Sequence, residues 1–172
     1  MTSEQSIRII ESPREVFTVL KEHRLTEAPI FILADASTSE HCLPLIQNEL
    51  PGAGRRAILL NVSDGEGSKS IETVNQLYDR LIEYRADRHS VLINIGGGMI
   101  CDLGGFVAST FKRGMKCINI PTTVLAQVDA SVGGKTGINH RGYKNMIGTF
   151  QLPMETLIFP ELSLFTVLLM CC

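Results

Sequence analysis

The chain has 172 residues, 44% hydrophobic and 20% charged, with a formal net charge of −2 and a pI near 6.1. These values suit one globular domain with a full core. They argue against a general nucleic-acid binder or a membrane-surface protein, and no apolar run reaches the ~18 residues of a membrane helix.

The elements alternate along the chain. Residues 6–10 (SIRII) read as a first strand, and Ser12-Pro13-Arg14-Glu15 as a helix start with a cap, proline in the first position and Glu in the third. Residues 29–35 (PIFILAD) read as a buried strand, after which Ser39 is expected to cap a helix running toward Leu50. Residues 57–62 (AILLNV) form the next strand. Beyond the turn SDGEGSKS, Ile71, Val74, Leu77, Tyr78, Leu81 and Ile82 recur at helical spacing. Residues 91–96 (VLINIG) and 117–121 (CINIP) are further strands, separated by a helical stretch near 103–112. Continuous apolar strands alternating with helices predict an α/β fold, a parallel sheet with helices on both faces. Ligands of such sheets sit at the carboxyl ends of the strands.

Polar residues collect at three of those ends. After residue 62 comes Asp64-Gly65-Glu66-Gly67-Ser68-Lys69, after residue 95 comes Gly96-Gly97-Gly98 and then Asp102, and after residue 120 come Thr122 and Thr123. Successive glycines let backbone approach a pyrophosphate, and a helix start offers free N–H groups. An acid such as Asp102 or Glu66 can accept from ribose hydroxyls, and Lys69 can meet phosphate. The glycines do not complete the dinucleotide fingerprint, because Cys101 stands where its last glycine belongs.

From residue 102 to 150 there are six basic residues (Lys112, Arg113, Lys116, Lys135, Arg141, Lys144) against two acids (Asp102, Asp129). That excess fits either an anionic ligand or a solvated basic face. The stretch from Pro121 to Asn145 adds Thr122, Thr123 and Ser131 to Asp129, Lys135 and Lys144, a set suited to a small charged molecule. The five cysteines (Cys42, Cys101, Cys117, Cys171, Cys172) show no CxxC pair and no disulfide framework. With no recognisable signal peptide, a reducing cytoplasm is the expected setting. The four histidines (His23, His41, His89, His140) never fall at ligand spacing and read as surface or packing residues.

The run over residues 96–153, with QVDASVGGKTGIN and KNMIG inside it and DGEGSK before it, resembles the 3-dehydroquinate synthases. The likeness extends to about Ile158. Related sugar-phosphate cyclases share much of it, whereas polyol and iron-dependent alcohol dehydrogenases share mainly the fold and the glycine-rich turn. The resemblance implies conversion of 3-deoxy-arabino-heptulosonate 7-phosphate to 3-dehydroquinate, with transient oxidation by NAD and a divalent metal, zinc or cobalt. By matching position it implies that Asp64, Gly65, Glu66, Lys69, Gly97, Gly98, Asp102, Thr122, Thr123 and Lys144 line NAD. Asp129 and Lys135 would touch both cofactor and substrate at the reacting centre, Asn145 would bind the substrate phosphate, and Arg113 would reach the phosphate in a neighbouring subunit's site. A homodimer is implied for the complete protein, with no nucleic-acid or membrane partner.

Two segments depart from the family pattern. His140-Arg141-Gly142-Tyr143 replaces a commoner proline-leucine-glycine, which reads as loop variation, and the pattern is lost from about Phe159 to Cys172. The metal ligands of the family, one Glu and two His, belong to a later helical domain. The sequence is therefore expected to hold an NAD-binding α/β domain over residues 1–158 and a divergent apolar tail over 159–172, as a truncated form. A non-catalytic NAD-binding or dimerising fragment is the alternative, with a related cyclase or a polyol dehydrogenase behind it.

Overall fold

The computed structural model describes residues 6–47, 57–129 and 133–163. Strand β1 (Ile7–Ile9) leads into helix α1 (Arg14–Glu22). The capping box expected there is half formed: Glu15 Oε1 accepts from the backbone N–H of Ser12 at 3.1 Å and of Glu11 at 2.8 Å. The Ser12 hydroxyl instead accepts from Arg14 N–H. Strand β2 (Ile30–Asp35) runs directly into α2 (Ala36–His41), followed by α3 (Leu43–Gln47).

Here the sequence reading needs correction. Asp35, not Ser39, caps α2, its carboxylate accepting from Thr38 N–H at 2.8 Å. Ser39 lies inside the helix, and its hydroxyl turns to Asn61. The expected run toward Leu50 leaves the described residues after Gln47.

Strand β3 (Ile58–Val62), helix α4 (Ile71–Glu83) and strand β4 (Val91–Gly96) follow as expected, with Ser70 capping α4 through Thr73 N–H. Helix α5 (Gly98–Thr110) starts five residues before the expected stretch, with Gly97 as its N-cap and Gly98 as its first residue. Strand β5 (Lys116–Pro121), the short helix α6 (Val124–Val128), an antiparallel pair β6 (Lys135–His140) and β7 (Tyr143–Phe150), and strand β8 (Glu155–Ile158) complete the order.

Six strands form one parallel sheet in the order β1-β8-β5-β4-β2-β3. The chain passes from β2 outward to β3 and then returns to the other side of β2 as β4. That reversal places a switch point between the carboxyl ends of β2 and β4, where ligands of open α/β sheets bind. Alternate β4 residues feed two cores: Val91, Ile93 and Ile95 pack with Val16, Leu20 and Ile46, while Leu92 packs with Leu77, Leu103 and Phe106. Both faces are thus covered, as continuous apolar strands require.

Helix α5 is gripped from two sides, which explains two glycines in mid-helix despite a cost of about 1 kcal/mol each. A Cβ on Gly104 would come within 1.9 Å of Asn94 Oδ1, a fully buried sheet residue whose Nδ2 donates to Asn119 at 2.8 Å. A Cβ on Gly105 would come within 2.4 Å of Thr136 Cγ2 on β6. Gly104→Ala is expected to lower stability by about 1–3 kcal/mol through overpacking. The check is a lower urea midpoint at an unchanged denaturant slope.

At the amino end of the sheet Glu155, 1% exposed, meets Arg8 Nη2 at 3.1 Å and His23 Nε2 at 2.9 Å. Arg8 also bonds Glu22 at 2.7 Å. Burial pushes the Glu155 carboxyl up, but Ser6, His23 and Arg8 together outweigh it and hold it below the usual carboxylate range. Among the described residues no helix is long and apolar enough to cross a membrane.

Candidate functional site

Helix α5 starts at the carboxyl edge of β4 without a side-chain cap, its N-cap being Gly97 in extended backbone. Its first N–H groups are therefore open to an anion. A Cβ on Gly98 would meet nothing within 4 Å, whereas one on Gly97 would approach Thr123 Cγ2 at 3.3 Å. The Gly96–Gly98 turn and Thr122–Thr123 thus share one sheet edge, joined by Thr122 N–H donating to Gly96 O at 3.0 Å. Thr123 caps α6 through Ala126 N–H.

In front of this edge lies a cleft of about 510 Å³, lined by Gly98, Asp102, Asp129, Lys135, Asn145 and Phe150 among others. One wall is α5. The opposite wall is the β6–β7 hairpin, whose strands are tied together by the Thr136–Thr149 hydroxyl pair at 2.7 Å and which is fixed to α5 by Thr149 Oγ1 donating to Ser109 at 2.7 Å. Gly137 and Gly148 face each other across the hairpin, and a Cβ on Gly148 would lie 2.3 Å from Thr136 O.

Beneath the cleft the Lys69 ammonium, 4% exposed, donates to Asp102 Oδ2 and to Asn145 Oδ1, the latter at 2.5 Å. Burial pushes the Asp102 carboxyl above the usual range; Lys69 pulls it back in part, while Glu66 and Asp129 add to the rise. Asn139 ties the hairpin to the loop after β3, its N–H donating to Lys69 O at 2.8 Å and its Nδ2 to Glu66 at 2.9 Å. Asn145, at a left-handed φ of 53°, is held by its own N–H donating to Asn139 Oδ1 at 2.9 Å.

Of the residues expected from sequence, Gly98, Asp102, Asp129, Lys135 and Asn145 share the cleft. Gly97, Thr122 and Thr123 lie at the same sheet edge as Gly98, Glu66 and Lys69 are tied to the hairpin through Asn139, and Gly65 lies in the turn before them at a left-handed φ of 91°. Asp64 stands further along, its carboxylate accepting from Ser37 N–H and hydroxyl, both at 3.0 Å. Lys144 is exposed on the hairpin beside Asn145. Arg113 is not brought in. It sits beyond the far end of the 13-residue α5, about 20 Å away along the helix, in a turn where Lys112 and Arg113 both hold left-handed φ of 52° and 69°. Ser131 lies outside the described residues.

Sequence reasoning missed Ser37, Thr136, Asn139 and Thr149. The signal for Asn139 was its place within KTGIN, next to the residues that were chosen. Cys101, by contrast, is a packing residue: it is buried, and burial drives its thiol far above the ordinary range. Burial likewise pushes Cys117 up to about 12 and Cys42 to about 11.

The family model described as 3-dehydroquinate synthase N-terminal matches residues 59–168. The chain belongs to the 3-dehydroquinate synthase family. It is 48% identical over 125 residues to the curated 3-dehydroquinate synthase of Parabacteroides distasonis, covering 73% of this chain and 35% of that protein. The Campylobacter jejuni 3-dehydroquinate synthase is 37% identical over 166 residues, covering 91% of this chain and 47% of that one. The chain spans about a third of the length of the first of these relatives.

Among solved structures, a 2-epi-5-epi-valiolone synthase from Streptomyces hygroscopicus with NAD+ and Zn2+ bound superposes at a TM-score of 0.82 and 26% identity, over 94% of this chain and 44% of that one. A 2-deoxy-scyllo-inosose synthase complexed with carbaglucose-6-phosphate, NAD+ and Co2+ gives 0.81 at 23%, over 91% and 42%, and shows the shared fold. The dehydroquinate-synthase-like α/β fold expected from sequence is thus the fold observed.

Proposed function

We propose that this chain is the dinucleotide-binding part of a 3-dehydroquinate synthase, acting in the conversion of 3-deoxy-arabino-heptulosonate 7-phosphate to 3-dehydroquinate and phosphate. The observation that carries the reading is the uncapped start of α5, open at Gly98, with Asp102 one turn on and Lys135 and Asn145 across the same cleft. That arrangement fits NAD: free N–H groups for a pyrophosphate and a carboxylate for ribose hydroxyls.

NAD, when bound, supplies the hydride acceptor that oxidises one substrate hydroxyl and later returns the hydride. The α5 start holds the pyrophosphate, Asp102 orients a ribose, and Asp64, Glu66, Thr122, Thr123 and Lys144 stand along the rest of the dinucleotide. Lys135 and Asn145 offer donors to the anionic substrate, and Asp129 faces them at the reacting centre. Arg113, beyond the far end of α5 from its own cleft, serves the substrate phosphate of a neighbouring subunit in a homodimer.

The described residues do not fit the zinc or cobalt of the solved relatives, since no group of three or more His, Cys, Asp or Glu among them could hold a metal ion. That same observation favours a second reading, a dinucleotide-binding chain without turnover of its own.

Calorimetric titration of NAD+ into the purified chain is expected to show binding, and a folded chain that takes up none overturns the reading. Asp102→Ala should weaken binding by about 1.5–3 kcal/mol, the loss of a charged acceptor, or ten- to hundredfold in Kd. Phosphate release from the heptulosonate phosphate, with NAD+ and zinc supplied, separates the two readings. Release supports the synthase, and binding without release supports the second.

A further inference from the structure

We propose that one ordered water molecule is built into the wall between the sheet and the cleft, and that through it the Asn119 amide acts as a positioning group for the Asp102 carboxylate. The water site stands apart from the dinucleotide reading, and only its consequence for a ribose rests on that reading.

Strand alternation sends Asn94 on β4 and Asn119 on β5 to the α5 face of the sheet, among Leu92, Cys117 and Leu103. The two stand in register, with Thr156 of β8 on the far side of Asn119. Asn94 Nδ2 uses both its hydrogens, donating to Asn119 Oδ1 at 2.8 Å and to Cys117 Sγ at 3.0 Å. Reversing both amides would press an NH2 group with unmet hydrogens against Gly104 of α5. As they stand, only Asn94 Oδ1 of this pair is sealed in without a partner. Asn119 Oδ1 therefore faces inward, where it also accepts from the Cys117 thiol at 3.6 Å. The planar amide then aims Asn119 Nδ2 the other way, and no hydrogen bond to the described residues occupies that nitrogen.

Asn119 keeps 6% exposure although β5 lies inside the sheet. It lines a small cavity of about 10 Å³ together with Cys101, Asp102, Cys117, Thr136 and Gln151. That space is about one water molecule in size, and a buried water needs two to four polar partners. Asn119 Nδ2 supplies a donor, Asp102 a charged acceptor, and Thr136 and Gln151 can do either. Asp102 and Thr136 also line the cleft, so they form the wall between the two spaces.

The groups around Asp102 define what the water adds. Lys69 bonds Oδ2, Glu66 and Asp129 oppose ionisation, and Lys135 lines both spaces. Burial keeps the Cys101 and Cys117 thiols neutral. A water oriented by Asn119 donates to the ionised carboxylate and favours that form.

The native full chain gives the first test. Water-selective NOE and ROE spectra are expected to connect the Asn119 side-chain NH2 to a long-lived water, the ROE sign separating this from proton exchange. The second test follows the Asp102 carboxyl carbon by NMR during a pH titration. Asn119→Leu removes the donor and fills the cavity, and is expected to raise the Asp102 midpoint by about one pH unit. The pH at which NAD+ affinity is lost on acidification should rise with it. Asn119→Gln carries its amide into the cavity in place of the water, and is expected to leave the Asp102 midpoint near native. A merely structural role would lower stability in both variants without moving that midpoint in either.

Absence of the water cross-peak in the native chain overturns the proposal, as does an Asn119→Leu chain in which Asp102 titrates like native. A Gln variant shifted as far as the Leu variant overturns it too, and all three results leave the dinucleotide reading intact. A native chain that shows the cross-peak yet binds no NAD+ supports the water site and overturns that reading alone.

Discussion

Alanine at Gly148 is expected to cost about 3 kcal/mol or more and to abolish binding in the cleft. Gly148 pairs with Gly137 at the centre of the β6–β7 hairpin, and its new methyl would lie 2.3 Å from the backbone oxygen of Thr136. Backbone cannot turn aside as a side-chain tip can, so the strands must part or slip. A one-residue slip would exchange the faces of Lys135 and Asn145, because side chains alternate along a strand. The damage also reaches α5, since Thr149 bonds Ser109 and Thr136 packs against Gly105 there. Urea unfolding and NAD+ calorimetry together check this, and a variant with native stability and native affinity would contradict it.

The second large effect lies at the opposite end of the sheet. Glu155→Gln is expected to lower stability near neutral pH by about 2–3 kcal/mol. That is below the 3–5 typical of a broken buried pair, because Arg8 and His23 are 38% and 31% exposed and Arg8 retains Glu22. The sign with pH follows from the depressed carboxyl. A carboxylate whose folded pKa lies below its unfolded value adds stability above the unfolded value of about 4.5 and loses it as pH falls through the folded one. The native chain should therefore lose stability on acidification below about pH 4.5, and the Gln variant should lose less over that span. Parallel acid limbs for the two proteins would show that Glu155 carries no such linkage.

The sheet was legible in the sequence because its strands are continuous apolar runs such as VLINIG, bounded by polar turns, and parallel sheets need such runs. The start of α5 was not, because glycine is the poorest common helix former after proline, and Gly97 and Gly98 stand at its first positions while Gly104 and Gly105, required by the close approaches of Asn94 and Thr136, follow in its middle. The hairpin escaped for the opposite reason. Its pattern is polar, glycine-rich and mostly exposed, so neither strand periodicity nor apolar density marks it. Ser39 was chosen as a cap where Asp35 acts, since a strand that runs straight into a helix puts the cap at its own last residue. The cleft residues were recognisable as types and as a family motif. What no spacing could reveal is that Lys69 faces inward, which depends on the hairpin folding over it.

The pairing of β1 with β8 sets the order in which the molecule can be completed. Ile7–Ile9 leave the ribosome long before the strand they pair with, Glu155–Ile158. Until then β1 is an orphan edge with two isoleucines beside an unfilled slot, a template for wrong partners. Contacts so distant in sequence also slow folding, because the loop must close before the pairing rewards it. The strands between them are made in the meantime, so the vulnerable period is the interval between the synthesis of β1 and that of β8.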